Sequence, residues 1–254
     1  MKTISLTVMA LLILGLTSIN AQGIDRLLSN LDMTARLGYN IGGTAPVGLP
    51  ATIRSLDRYT LQPNASFGVD VGKKVAGRFG IMAGIHLENK GMETDARVKN
   101  YHMRITNGGE TLEGMFTGNV VTEVGQWMVT FPVQATMSLN DKLMLRLGPY
   151  ASYVISHSFE GNAYGGYLRV DDPTGQKVEI GTEPDTRGLY DFADYLRRMQ
   201  YGVDLGVDWQ FHRNYGVYAS LMWGLNGVFH SSFHTIEQTL YPIYGTVGLT
   251  YRIK

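Results

Sequence analysis

The chain has 254 residues, 22 bases against 22 acids, and no cysteine. That excludes a disulfide framework, a thiolate metal centre and a cysteine nucleophile, and a formal charge of zero gives no basic footprint for nucleic acid. Charged residues make up only 17% while glycine reaches 31 residues, a charge content below the roughly 25% of a soluble domain.

Residues 1–21 read as a secretory signal peptide. Lys2 supplies the positive end, Ile4 to Leu16 the apolar run, and Ala21 a small residue at the cleavage site. The run falls short of the roughly 18 residues of a membrane-anchoring helix. No later segment suits a transmembrane helix, so the exported chain is either soluble outside the cytoplasm or a membrane β-barrel. Residues 22–32 form a short periplasmic leader, with Ile24, Leu27, Leu28 and Leu31 at the spacing of a frayed helix.

From residue 33 to 254 the dominant signal is period-two alternation, which gives a strand one apolar and one polar face. The first strand spans 33–41, with Met33, Ala35, Leu37, Tyr39 and Ile41 on the apolar side and Arg36 on the other. A long Gly- and Pro-containing loop precedes strand two at 65–73, where Asp70 takes the polar side. A tight turn leads to strand three at 78–90, whose polar side carries His86 and Glu88. Residues 91–125 are a long polar excursion in which strands three and four extend beyond the membrane and turn at Asn107-Gly108-Gly109. Strand four spans 126–138; Pro132 inside it calls for a bulge. Strand five spans 142–156 with Arg146 on its polar side. The longest excursion, 157–196, contains a hairpin around Asp172-Pro173-Thr174-Gly175. There Leu189, Phe192 and Leu196 predict a short helix, whose charge order suits the helix dipole.

Strands six and seven form the clearest hairpin, 199–225, turning at His212-Arg213-Asn214 with Asp204 and Asp208 on the polar face. Strand eight spans 240–253 and ends with Arg252 on the polar parity. The connections alternate long and short through eight strands. That is the layout of an all-β, eight-stranded antiparallel up-and-down transmembrane β-barrel, with short periplasmic turns and long extracellular loops.

Aromatic residues cluster at the ends of the apolar face: Tyr39, Trp127, Tyr153, Tyr201, Trp209, Phe211, Tyr215, Trp223, Tyr241 and Tyr251. Strands of about ten residues with rings at both ends match a bilayer crossing with two interfacial girdles. A soluble lipocalin-like barrel would point the apolar set inward. It would also show more Lys and Glu on its polar set, which here is mostly Gly, Ser, Thr and Gln. With the polar set inward, Arg36, Arg146 and Arg252 meet Asp70, Asp204 and Asp208 in the lower lumen, and His86 with Glu88 form a network above. Buried charges need partners, and an eight-stranded interior is just wide enough for side chains to fill, so the expectation is a salt-bridged plug.

Signals for chemistry are weak. His230-x-x-x-His234 would need a third ligand to hold zinc. His157, Ser158 and Asp171 are of suitable type for a catalytic outer rim of the kind that lipid A palmitoyltransferase carries. No phosphate loop, dinucleotide fingerprint, His-Glu-x-x-His or Gly-x-Ser-x-Gly occurs. No cofactor is implied.

The signal peptide ending Asn20-Ala21-Gln22, the strand Leu147-Gly148-Pro149-Tyr150-Ala151-Ser152-Tyr153, the Gly-Val-Asp-Leu-Gly-Val-Asp-Trp run at 202–209 and the ending at 245–254 resemble small outer-membrane β-barrel proteins of Bacteroidota, the PorT-like family. The resemblance implies residence in the cell outer membrane, contact with its lipid, and insertion by the barrel assembly machinery with Tyr251 as the terminal aromatic. The family's namesake assists protein secretion. The residues favour a non-enzymatic structural or surface-interaction role through the long loops. A barrel enzyme or a transport or secretion accessory is the alternative, and a soluble ligand-binding barrel the third.

Overall fold

The computed structural model describes residues 31–48, 50–233, 235, 236 and 238–253. The expected signal peptide and nearly all of the leader lie outside them. Eleven strands are present among the described residues: β1 (Asp32–Pro46), β2 (Ile53–Thr60), β3 (Ala65–Ala76), β4 (Phe79–Asn107), β5 (Glu110–Ser138), β6 (Leu143–Val170), β7 (Lys177–Ile180), β8 (Gly188–Asp191), β9 (Met199–Gln210), β10 (Tyr215–Gly224) and β11 (Leu240–Arg252). Eight of them close a ring in the order β4-β3-β1-β11-β10-β9-β6-β5, with β5 pairing back onto β4. All ring pairings are antiparallel. Closure leaves the ring with no open edge, so every backbone donor in it can be paired without water.

Side-chain orientation follows the alternation. Arg36, Asp70, Glu88, Arg146, Asp204 and Asp208 are buried inside, while Leu37, Ile81, Val133, Leu205 and Leu249 stand exposed outside. Two belts of outward aromatics bound this apolar band. Trp209, Phe211, Tyr215 and Tyr251 lie at the tight-turn end, and Tyr39, Trp127, Tyr153, Tyr201 and Trp223 at the other. Tyr241 is only half exposed; it pairs with Ala45 above the belt.

Beyond the upper belt β4, β5 and β6 do not stop. β4 and β5 each run 29 residues and β6 runs 28, against about 9–11 for a membrane crossing. The extensions curl on themselves: β6 pairs β8, and β8 touches β4 at Thr106. Bulges set this up. The β4–β5 register slips between Val98 and Tyr101, where Asn100 has φ 53°, and the β5–β6 register slips at Trp127/Met128. An extra residue bends a strand and reverses its side-chain parity. Val154 is therefore buried below the β6 slip, Ile155 and Ser156 are both exposed at it, and Phe159 is buried above it. Above the ring the interior becomes apolar, with Met103, Ile105, Phe116, Phe159, Leu168 and Phe192 at its centre; β5 keeps one inward parity throughout, passing from Gln134, Thr130 and Gln126 in the ring to Val124, Val120 and Phe116 above it.

Four sequence expectations differ from the fold. No bulge sits at Pro132. It pairs with Tyr150 in unbroken register, and the β4 ladder resumes unshifted on either side, so the missing donor is absorbed as a local gap. The stretch expected as a short helix is strand β8 followed by one 3-10 turn at Ala193–Tyr195; pairing of β8 with β6 outweighs its helical spacing. The long loop expected before the 65–73 strand contains β2, which pairs with β4. β1 begins at Asp32, one residue inside the expected leader.

Candidate functional site

The lumen is crossed by a continuous charge network. The Arg36 guanidinium on β1 donates to both carboxylate oxygens of Asp208 on β9, at 2.9 and 2.8 Å, and also to Asp70 on β3. The second Asp70 oxygen lies 2.8 Å from Nε2 of His86 on β4. Arg146 on β6 donates to Asp208 (3.1 Å) and to Oε1 of Gln134 on β5 (2.9 Å), and Gln134 donates to Asp204 (2.9 Å). The ring of Tyr218 on β10 lies beneath both arginines, 4.8 and 5.9 Å from their guanidinium carbons. A second layer stands above: Lys90 donates to Glu88 at 2.9 Å, and Thr130 donates to the same carboxylate at 2.5 Å. Asp70, Asp208 and Glu88 thus exchange water for bonds from charged donors, the condition for burying them at tolerable cost; among the described residues Asp204 is held by Gln134 alone, and its Oδ1 and Arg146 Nη2 are buried without a partner.

Glycine makes room for these groups. A Cβ on Gly84 would fall on the Asp70 carboxylate, one on Gly68 on the His86 ring, and one on Gly206 on the Arg146 guanidinium. The high glycine content of the polar parity is therefore a packing requirement of the network. Arg252 is not part of it. It follows the lumen parity but lies one pleat below Thr250, exposed at the tight-turn mouth, where water serves it. Lys90 takes the place of a third lumen base, paired with Glu88. Sequence reading also missed Gln134 and Tyr218, which carry no charge to mark them.

The catalytic candidates are not assembled. His157 and Ser158 lie at the base of the β6 extension; Asp171 follows its last residue, in the far turn. A strand of 28 residues rising about 3.3 Å per residue keeps them tens of ångströms apart. His234 lies outside the described residues. Among those residues no cluster of three His, Asp or Glu is placed to hold a metal.

Above the charge layers lies an apolar chamber of about 390 Å³. Its floor and walls include Met92, Ala96, Val98, Met103, Val120 and Phe159. Behind its Phe192 wall lies an aromatic cluster: Phe229 and Phe233 lie 4.5 Å apart, and Phe233 packs 5.1 Å from Phe192. The chamber's tyrosines are satisfied locally. Tyr190 donates to Val121 O and shares a 2.7 Å bond with Thr122, and burial pushes its phenol up, so it stays neutral. The side wall differs from the rest. β1 pairs β3 only as far as Tyr39, and above that β2 pairs β4 but not β1. Among the described residues no backbone hydrogen bond joins β1 to β2. Among the described residues β1 and β2 are joined by the Tyr59 hydroxyl, which donates to Gly42 O (2.6 Å) and accepts from Gly42 N (3.2 Å), and just past β2 Asn64 O accepts from Asn40 N (3.1 Å).

An eight-stranded ring that is apolar outside, ring-belted and polar inside defines a transmembrane β-barrel of outer-membrane type. The sequence model of the outer membrane protein beta-barrel domain family matches residues 20–230. The chain belongs to that family. No curated protein matches it in sequence. Solved structures similar to it include CarO of Acinetobacter baumannii (12% identity, TM-score 0.42, covering 86% of this chain and 96% of that one). Ail of Yersinia pestis, solved with the heparin analogue sucrose octasulfate, has 9% identity, TM-score 0.37 and coverage of 88% and 97%. OprG of Pseudomonas aeruginosa has 12% identity, TM-score 0.36 and coverage of 88% and 96%.

Proposed function

We propose that this outer-membrane barrel is a sealed, non-enzymatic platform whose working part is the folded structure above the membrane. The observation that carries this reading is the pairing of a lumen closed by the Arg36–Asp208–Arg146 network with strands that continue far past the upper aromatic belt. A diffusion pore requires a water-filled lumen, and an eight-stranded interior packed with bonded side chains has none to spare. Loops serving only to join strands would not invest in an apolar core of their own. Export by the residue 1–21 signal peptide, insertion by the barrel assembly machinery and embedding in outer-membrane lipid complete the reading. The PorT-like resemblance supports the same placement and adds a secretion-accessory role as the narrower alternative.

Planar-bilayer recording tests the seal. Wild type is expected to show no steady open-channel steps. Asp208→Ala, which removes the carboxylate shared by both arginines, is expected to introduce them. Sustained conductance in wild type would end the reading.

A further inference from the structure

We propose that the chamber above the lumen is a binding site for a small uncharged hydrocarbon, either a flat aromatic molecule or an acyl chain, entering through the β1–β2 seam. Three observations converge. A dry cavity of roughly 150 Å³ already holds benzene, and this one, at about 390 Å³, is more than twice that size. Its polar lining is confined largely to the exposed Arg54 and Ser55 of β2, and among the described residues no lining side chain leaves a buried nitrogen or oxygen unpaired. A ligand with hydrogen-bonding groups would bury them without partners, at a cost of order 1–3 kcal/mol each, so the site selects against polarity. Met92 and Met103, unbranched and polarizable, line the space and adapt to different shapes of apolar guest.

The seam supplies the entrance. Gly42 to Pro46 of β1 and Ile53 to Leu56 of β2 both line the chamber, yet the two strands are not paired. Its outer lip carries exposed apolar side chains: Ile41 on β1, Leu56 on β2, and Leu61 just past β2. Tyr39, of the upper belt, sits just below and donates to Gln62 O at 2.6 Å. The opening therefore stands at the upper edge of the apolar band, where both a membrane chain and a dissolved hydrocarbon arrive. Separating β1 from β2 here breaks the two bonds of Tyr59 and no strand ladder.

The test uses full-length protein in lipid nanodiscs, carbon-13-labelled at the methionine methyls and titrated with naphthalene. Saturable ring-current shifts are expected at Met92 and Met103. Met199, exposed on the outer wall, should respond only linearly, as the bilayer fills. Ala96→Phe, which fills the chamber, should weaken the saturable response at least ten-fold; Val120→Phe, at the paired position on the neighbouring β5, does the same should the first variant fail to show heat-modifiable migration. A lipid with a nitroxide at its acyl terminus separates the sources. Broadening of Met92 identifies a membrane chain as occupant. Saturable naphthalene shifts without that broadening identify a free molecule. Absence of both, or shifts unchanged in the two filled variants, overturns the proposal. The conductance result is independent of this outcome, so a leaky lumen with a binding chamber would be recognised as such.

Discussion

The lower and upper halves of the molecule use one set of strands with opposite polarity. In the ring, Leu205 faces outward and Arg146 inward. In the extensions of the same β4, β5 and β6, Phe116, Phe159 and Leu168 face inward, and charged pairs such as Arg104–Glu113 face outward. What changes between them is the medium. Lipid accepts apolar surface outside the ring at no cost, so the interior can be polar if every group is bonded. Water outside the extensions drives their apolar side chains together. On β5 the same inward parity passes from Gln134, Thr130 and Gln126 to Val124, Val120 and Phe116, while β4 and β6 each carry an extra residue, at the slips near Asn100 and Ile155.

The comparison breaks most readily where each half is cut at its own core. Arg36→Ala in the ring leaves Asp70 and Asp208 without their shared guanidinium. It should destabilise the barrel by about 3–5 kcal/mol, the cost of orphaning a buried charge, read as a lowered urea midpoint for loss of heat-modifiable migration. Phe116→Ala removes a fully buried ring and should cost a similar amount, about 3–5 kcal/mol, but only above the membrane. Proteolysis of the extensions should accelerate while migration of the barrel stays intact. If both variants failed together, the halves would be one cooperative unit. Leu205→Arg tests the lipid face alone. Leu205 lies midway between the belt residues Tyr201 and Trp209 and is 51% exposed, so arginine there should cost about 2–4 kcal/mol, the midplane value, in the ring and nothing in the extensions.

The two halves were unequally legible in the sequence. In the ring the alternation in 199–211 and 215–225 is uninterrupted, because lipid and lumen each select one side-chain class, and strand number, closure and facing follow from it. The contact between Arg36 and Asp70 follows from the adjacency of their strands. Arg252 was misplaced because parity tells which way a side chain points but not how deep it lies. Above the membrane the pattern fails for physical reasons. Each bulge resets the alternation with nothing in composition to mark it. β2 is exposed along most of its length, so it has no apolar face to betray it. The chamber brings together β1, β2, β4, β5, β6 and the loop after β10, an assembly set by long-range pairing.

Fluorescence quenching of the intact protein in bilayers tests the inverted polarity most directly. The chain has three tryptophans: Trp127, Trp209 and Trp223, which stand 41%, 52% and 45% exposed on the outer wall in the two belts. Lipids brominated close to the headgroup should quench nearly all of the emission, and those brominated at the chain ends much less. Emission indifferent to brominated lipid but quenched by aqueous acrylamide would place the rings in water or in the lumen and contradict the account.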